Sequence, residues 1–261
     1  MNITSPSAEI ITESNPLKRI ELCGRVCYKS EAKITEGSAR TFVEKIIKRG
    51  HTSVLEHFRL PVFPGEKLDL LRERLQSLSD VNEIYASQVM GRIATHPNHV
   101  TLNARDYFIV FPEAGIEGLA GEENADDYMT VRFVCDRAIA NELVRHRVFS
   151  FSQESTRYVN YKEGVTFVSP EPYGDNTAWF AAMKAAEKSY IAMIEAGCAP
   201  QEARNVLPLS TKTELVMTGT LRQWEVMLKL RRMKGAHPQM VYLMNRLVSN
   251  ENFPEGIEGE K

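Results

Sequence analysis

The sequence predicts a mixed α/β fold, and three observations carry that reading. Stretches with helical apolar spacing are interleaved with short β-branched and aromatic runs. The 261 residues are 43% hydrophobic, enough to bury a substantial core as one domain or as two closely packed halves. No linker along the chain is long enough to separate domains, so residues 1–261 read as a single domain.

The elements follow in order. SARTFVEKIIKRG reads as a helix with Ser38 as its N-cap and Gly50 as its stop. HTSVLEHF (51–58) is a loop leading into a strand or a helix, and the charged, Leu-spaced run from Glu66 to Met90 is helical. RDYFIVF (105–111) and TVRFVCD (130–136) read as strands, with 112–128 a loop rich in Gly and acidic residues. DRAIANELVRH places Ile139, Leu143 and His146 at spacings of four and three, as a helix does. Residues 176–197 form a long helix ending at Gly197, while TKTELVMTG (211–219) suits a strand or a helix. Helices follow at 221–233 and 239–248, and the tail from Asn252 is expected to fray. TLNARDYF (101–108) and TGTLRQWE (218–225) share a Thr-x-x-x-Arg-x-aromatic pattern, too short a match to establish a repeat.

Composition excludes several classes. A net charge of −2 and a pI near 6.3 argue against a general nucleic-acid or anionic-membrane binder, so any anion is held by local arginine clusters. No apolar run approaches the ~18 residues of a membrane span. The opening MNITSPSAEII lacks the charged and apolar regions of a signal peptide, and the expectation is a cytoplasmic protein. The four cysteines form no CxxC pair, and Cys23 and Cys27 have no matching pair to complete a zinc site; free, mostly buried thiols are expected. His51 and His57 are six apart, a spacing that suits no helix face, so no metal site is expected.

RHRVFSFSQESTRY (145–158) concentrates hydrogen-bond donors. At roughly 100° per residue, Arg145, His146 and Arg147 would point three ways on a continued helix. Either two are solvated charges, or the helix end presents them to different partners. Glu142 stands three residues before Arg145, the spacing of a helical ion pair. EARNVLPL and KLRRMKGAHPQ add Arg204, Arg231, Arg232 and His237, each near a turn or a Pro/Gly break. Arginine's planar fork suits phosphate, so the clusters fit a ligand with several phosphates or two phosphorylated ligands. Ser155 lacks a G-x-S-x-G elbow, no Cys stands beside a His, and neither a G-x-G-x-x-G nor a P-loop occurs.

Arg145-His146-Arg147, seven residues and then Ser155 resemble the RHR-x7-S signature of the flavin-dependent thymidylate synthases. The match extends through Ser150, Gln153, Arg157 and Tyr158. HTSVLEH resembles the family's upstream motif, GRVCY (24–28) a stretch near its first helix, and ARNVLPLSTKTELVMTGTLRQWEVMLKLR with AHPQ its C-terminal half. Two departures stand out. About seventy residues (roughly 60–128) intervene where the family runs almost directly into the strand before RHR, so this region reads as an insertion. Thr220 stands where the family has an Asn in T-x-N-x-R, and Asn103, in the echo, has the Asn-x-Arg form.

The resemblance implies a mixed α/β fold with a central sheet flanked by helices, and a homotetramer holding FAD at shared sites. The implied reaction moves a methylene from methylenetetrahydrofolate to dUMP, with NADPH (or NADH) as reductant, giving dTMP. Glu142, Arg145, Gln153, Ser155, Thr156, Arg157 and Arg204 fall where the family holds dUMP. Cys27, Ser53, Glu56, Arg145, His146 and Arg147 fall where it holds FAD, as do Thr220, Leu221, Arg222 and Val226; His51 and His237 line the same site. Arg231 falls on the arginine that polarises the pyrimidine, and Ser155 reads as a ligand, not a nucleophile. A related flavin and folate enzyme acting on another pyrimidine nucleotide, or a non-catalytic nucleotide-binding protein, is the alternative.

Overall fold

In the computed structural model, which describes residues 1–122, 124–125, 127–173 and 176–257, helices and strands alternate as expected of a mixed α/β chain. The first half contains β1 (Asn2–Thr4), β2 (Ser7–Ile10), α1 (Pro16–Val26), α2 (Ser38–Lys48), β3 (Arg59–Val62), α3 (Glu66–Val81), α4 (Glu83–Met90), β4 (Ala94–Thr95), β5 (Val100–Asn103), α5 (Ala104–Val110) and α6 (Gly115–Ala120). The second contains β6 (Tyr128–Asp136), α7 (Arg137–Leu143), β7 (Ser150–Gln153), β8 (Thr166–Val168), α8 (Thr177–Glu195), α9 (Pro200–Ala203), β9 (Lys212–Thr220), α10 (Leu221–Arg232) and α11 (Pro238–Val248). Two compact units emerge. One comprises Met1–Thr12, Arg25–Glu31 and the chain from Met129; the other comprises Glu13–Gly24 and Ala32–Tyr128.

The first unit is built on a sheet of order β2-β6-β9-β7, with β2 antiparallel to β6 and β7 antiparallel to β9. Its inner strand β9 is buried at every position from Thr213 to Gly219. A strand covered on both faces loses period-two polarity, which is why TKTELVMTG was ambiguous as sequence. Trp224, Met227 and Leu228 of α10 and Met240, Leu243, Met244 and Leu247 of α11 pack with Val131, Phe133, Leu215 and Met217 from the strands. The Trp224 indole N–H donates to the Met129 carbonyl at 2.9 Å, so the largest buried side chain leaves no polar atom unpaired. A smaller cluster joins Val165 and Phe167 to Met183 and Tyr190 of α8. Parallel pairing of β1 with β8 completes this unit.

The second unit carries the sheet β3-β5-β4 and its own core, including Phe42, Val43, Phe58, Leu60, Leu71 and Leu102. Gly24 permits close packing here: a Cβ would stand 2.7 Å from Phe42 and Val54.

Three expectations are corrected, and the helical reading of Glu66–Met90 is borne out with a break at Asn82. RDYFIVF is helix α5, not a strand. Asn103 accepts from the Asp106 N–H at 2.9 Å and donates to the Asp106 carboxylate at 2.8 Å, and this local cap outweighs the β propensity of the run. Glu66–Met90 is two helices, because Asn82 turns out of the helix and caps the second through the Tyr85 N–H at 2.9 Å. The N-cap of α2 is Gly37, whose φ of 81° places it in the left-handed region. Ser38 instead accepts from the Thr35 N–H at 2.9 Å and donates to Glu21 at 2.8 Å. The stretch 112–128 contains helix α6, while 123 and 126 lie outside the described residues. HTSVLEH is a 3-10 turn leading into β3, and of the tail expected to fray, 258–261 lie outside the described residues.

The echo has a structural meaning. In both copies a strand ends at an N-capping side chain, Asn103 or Thr220, and a helix begins one residue later with Arg105 or Arg222 at its second position. Asp136 makes the same corner between β6 and α7, accepting from the Ile139 N–H at 2.7 Å. The shared letters therefore encode one strand–cap–helix turn.

Candidate active site

The Asp136 cap starts α7, and α7 stops at Leu143 with Val144 as its C-cap. Residues 145–149 continue as tight turns, the Arg147 N–H donating to the Arg145 carbonyl at 3.0 Å and the Phe149 N–H to the His146 carbonyl at 3.0 Å. Arg145, His146 and Arg147 thus leave the helix before its periodicity applies to them. His146 turns inward and the two arginines are exposed. Neither arginine makes a side-chain hydrogen bond or ion pair among the described residues.

His146 meets Arg231, on the last turn of α10. Arg231 Nε–H donates to His146 Nε2 at 2.8 Å, Nη1 to Glu142 Oε2 at 2.8 Å, and Nη2 to the Glu142 carbonyl at 3.1 Å. Glu142 therefore pairs with Arg231 and not with Arg145, correcting the helical-spacing expectation. Because α7 ends so soon, the tertiary partner 89 residues away takes the carboxylate. Burial, then the Arg231 charge, hold the His146 pKa below its ordinary value. The imidazole is neutral, accepts at Nε2, and so carries its proton on Nδ1. Glu142 and His146, from DRAIANELVRH, are brought together with Arg231, from KLRRMK.

The second cluster is the edge following this turn. From Phe151 to Arg157 burial alternates: Ser152, Glu154 and Thr156 are buried, Gln153 and Ser155 half-buried, and Arg157 exposed. Ser155 Oγ accepts from the Arg157 N–H at 3.3 Å, and the Ser155 N–H donates to the Cys27 carbonyl at 3.1 Å. Gln153 Nε2 donates to Thr213 at 3.3 Å, Arg157 Nε donates to Gln201 at 3.3 Å, and the Tyr28 and Tyr158 rings lie 5.8 Å apart. Cys27, half-buried, has its thiol pKa raised by burial, so it is a poor thiolate. Arg204 is exposed at the end of α9, and among the described residues its guanidinium has no partner.

Other expected residues are placed differently. Thr220 closes a capping box on α10, accepting from the Gln223 N–H at 3.3 Å while its own N–H donates to Gln223 at 2.8 Å. Its hydroxyl is a cap first, as is the Asn103 amide. Arg222 and Val226 project from α10, Val226 62% exposed, while Leu221 packs against the core. His237 is exposed at the start of α11, where the neighbouring Gln239 donates to Asp136 at 3.2 Å. His51, Ser53 and Glu56 belong to the second unit; His51 and Ser53 are exposed, and Glu56 accepts from Arg105 at 2.6 Å. His57 is wholly buried, and burial followed by the Arg19 charge pushes its pKa down to about 3, so it is a neutral core residue.

One group of residues went unread in the sequence. Glu154, Lys212 and Glu214 form a buried ionic network beneath the Gln153–Arg157 edge. Their signal was faint: charges at alternate positions of an otherwise apolar strand, KTELVM, and one acid inside SQES.

Neutral His146, anchored Arg231 and the exposed Arg145, Arg147, Arg157, Arg204 and Arg222 concentrate cationic side chains on a mixed α/β chain. The family model described as "Thymidylate synthase complementing protein" matches residues 9–62 and 127–255, and the chain belongs to that family. The resemblance read from RHR-x7-S is borne out. A flavin-dependent thymidylate synthase of Geobacter sulfurreducens is 24% identical over 220 residues, covering 80% of this chain and 66% of that protein. Another, from Mycobacterium sp. (strain JLS), is 32% identical over 169 residues, covering 56% of this chain and 65% of that protein. The chain spans between about half and two thirds of the length of the curated relatives it matches. Among solved structures, a UMP/dUMP methylase PolB from Streptomyces cacaoi, bound with 5-Br dUMP, is 18% identical with a TM-score of 0.45, covering 94% of this chain and 90% of that one.

Proposed function

We propose that the protein is a flavin-dependent thymidylate synthase, methylating dUMP to dTMP with methylenetetrahydrofolate as carbon donor and NADPH (or NADH) as reductant. The observation that carries this reading is the Arg231 anchor beside the unpartnered arginines of the RHR turn. Glu142 and His146 together take three of the five guanidinium N–H groups. The remaining donors and the fixed positive charge are available to a pyrimidine carbonyl, where they stabilise negative charge developing on the ring. Because His146 is neutral, it orients Arg231 without adding a second positive charge.

Arg145, Arg157 and Arg204 supply the forks for the dUMP phosphate, with Gln153, Ser155 and Thr156 as hydrogen-bonding groups along the same edge. The donor set also fits FAD. Arg147 and Arg222 are exposed guanidiniums that make no side-chain hydrogen bond among the described residues, suited to its pyrophosphate. The resemblance also assigns His51, Ser53 and Glu56 of the second unit, and Cys27, His146, Thr220, Leu221, Val226 and His237 of the first, to FAD; of these His51, Ser53, Val226 and His237 are exposed. When bound, FAD supplies the hydride that completes the methyl group. On this reading the chain is one functional domain carrying 60–128 as an insertion, and acts in the cytoplasm as a homotetramer with shared sites.

The decisive experiment incubates purified protein with dUMP, methylenetetrahydrofolate and NADPH and analyses the nucleotide product. Flavin absorbance and dTMP support the proposal; a colourless protein, or a product other than dTMP, overturns it.

A further inference from the structure

Glu154 sits between two candidate nucleotide ligands, Gln153 and Ser155, yet its side chain is only 1% exposed. Lys212 Nζ donates to it at 2.9 Å, the Tyr161 hydroxyl donates to it at 2.7 Å, and Arg137 Nη2 donates to its carbonyl at 3.3 Å. Lys212 also pairs with Glu214, whose side chain is 5% exposed and which gathers Lys29 and Arg132 as well. Glu31 adds a third acid, 3.5 Å from Arg132 and 3.6 Å from Lys29. Three buried or half-buried carboxylates thus face three cations, and exposed Glu9 lies 4.0 Å from Arg132 as well. Burial alone would raise the Glu214 pKa, but hydrogen bonds from Lys212, Lys29 and Arg132 bring it down to about 2.

Such a network is a weak source of stability, because desolvating the charges offsets most of their attraction; its best-attested use is to select one arrangement over its near neighbours. Here the nearest competitor is a register slip. In β7, Gln153 stands opposite Leu215 and Ser152 opposite Val216 of β9, and the alternation runs on to Arg157. A slip of one residue would exchange the two faces of the edge. Gln153 and Ser155 would turn inward, Glu154 would face solvent, and Lys212 would lose its carboxylate. The Glu154 N–H donation to the Glu214 carbonyl at 2.8 Å and that of Ser155 to Cys27 bind the same register to two further segments. Lys29, the one non-glycine residue with positive φ (46°) among the described residues, is tied to Glu214 by its ammonium group.

We propose that Glu154 and Lys212 are positioning residues that lock the register of the 150–157 edge, keeping Gln153, Ser155 and Arg157 turned toward a pyrimidine nucleotide. Neither touches the substrate; both act through the residues that do. The inference rests on reading this edge as the dUMP site.

The test uses flavin-loaded, full-length enzyme and measures KM for dUMP, kcat and dUMP binding by calorimetry. The variants are Lys212→Met, Glu154→Gln and the two combined. Lys212→Met, which leaves Glu154 buried and unbalanced, is expected to raise KM for dUMP by about tenfold or more with kcat within about threefold of the parent. The combined variant restores charge balance and is expected to recover most of that loss, the signature of direct coupling between the pair. An unchanged KM in the single variants overturns the proposal, as does a parallel fall in kcat and affinity that the combined variant does not recover. If Lys212→Met does not fold, Glu154→Gln decides alone: it keeps shape and acceptor, so a raised KM supports the lock and an unchanged one overturns it. A parent enzyme that binds no dUMP overturns the reading of the edge itself, and the lock with it.

Discussion

Arg231 carries the proposed chemistry. Its guanidinium is oriented by Glu142 and His146, so under the proposed function little reorganisation would remain at the moment of reaction. Arg231→Ala is expected to lower kcat about 10²-fold or more while flavin absorbance persists, because the loss falls on ring polarisation. Near-normal turnover would remove Arg231 from that role. His57 makes a separate expectation about pH. Unfolded, it titrates near 6.5; folded, near 3. Above pH 6.5 both states are neutral and stability is whole. As the pH falls below 6.5 the unfolded chain takes up a proton that the folded chain refuses, so stability drops by about 1.4 kcal/mol per pH unit toward pH 3. His146, also depressed, acts in the same direction. Urea melts at pH 8, 6 and 5 test this, and His57→Gln should flatten the slope; an unchanged slope would assign it elsewhere.

At the scale of elements, strand–cap–helix corners recur and set where functional residues emerge. Asn103 both caps α5 and holds Asp106, which also receives Arg92 at 2.9 Å. Asn103→Ala is expected to destabilise by about 1–2 kcal/mol, the usual size for a lost cap, measured by denaturant midpoint. Gly219 marks the corresponding corner of β9. An added Cβ would lie 2.3 Å from the Phe149 ring, which is packed at 4.9 Å against buried Trp224 and has no room to yield. Gly219→Ala should therefore cost about 1–3 kcal/mol through overpacking. A melting temperature equal to the parent's would show that Phe149 moves more freely than this packing implies.

For the whole molecule, arginines such as Arg145, Arg147 and Arg204, which make no side-chain hydrogen bond or ion pair among the described residues, have a proposed consequence for assembly. If they serve sites shared between copies, FAD binds only the assembled form and stabilises it by mass action, by about 2.7 kcal/mol at a hundredfold excess over Kd. Light scattering should then show a tetramer of the 29.6 kDa chain, and removal of FAD should lower the melting temperature or shift the species downward. A monomer saturated with FAD would contradict shared sites.

The sequence by itself determined the family, through motif spacing, and the long elements whose apolar period is plain, such as α8, α10 and α11. The clustering of arginines beside chain breaks is legible without coordinates as well. Only the tertiary structure decided which intramolecular partners the side chains take. RDYFIVF became helix because an Asn–Asp–Arg cap outweighs β propensity; Glu142 chose Arg231 over Arg145 because α7 ends at Leu143. The Glu154–Lys212–Glu214 network left only a faint trace for the same reason. A carboxylate buried against a lysine 58 residues away has no local period, since its energy comes from desolvation and pairing that exist only once the strands have met.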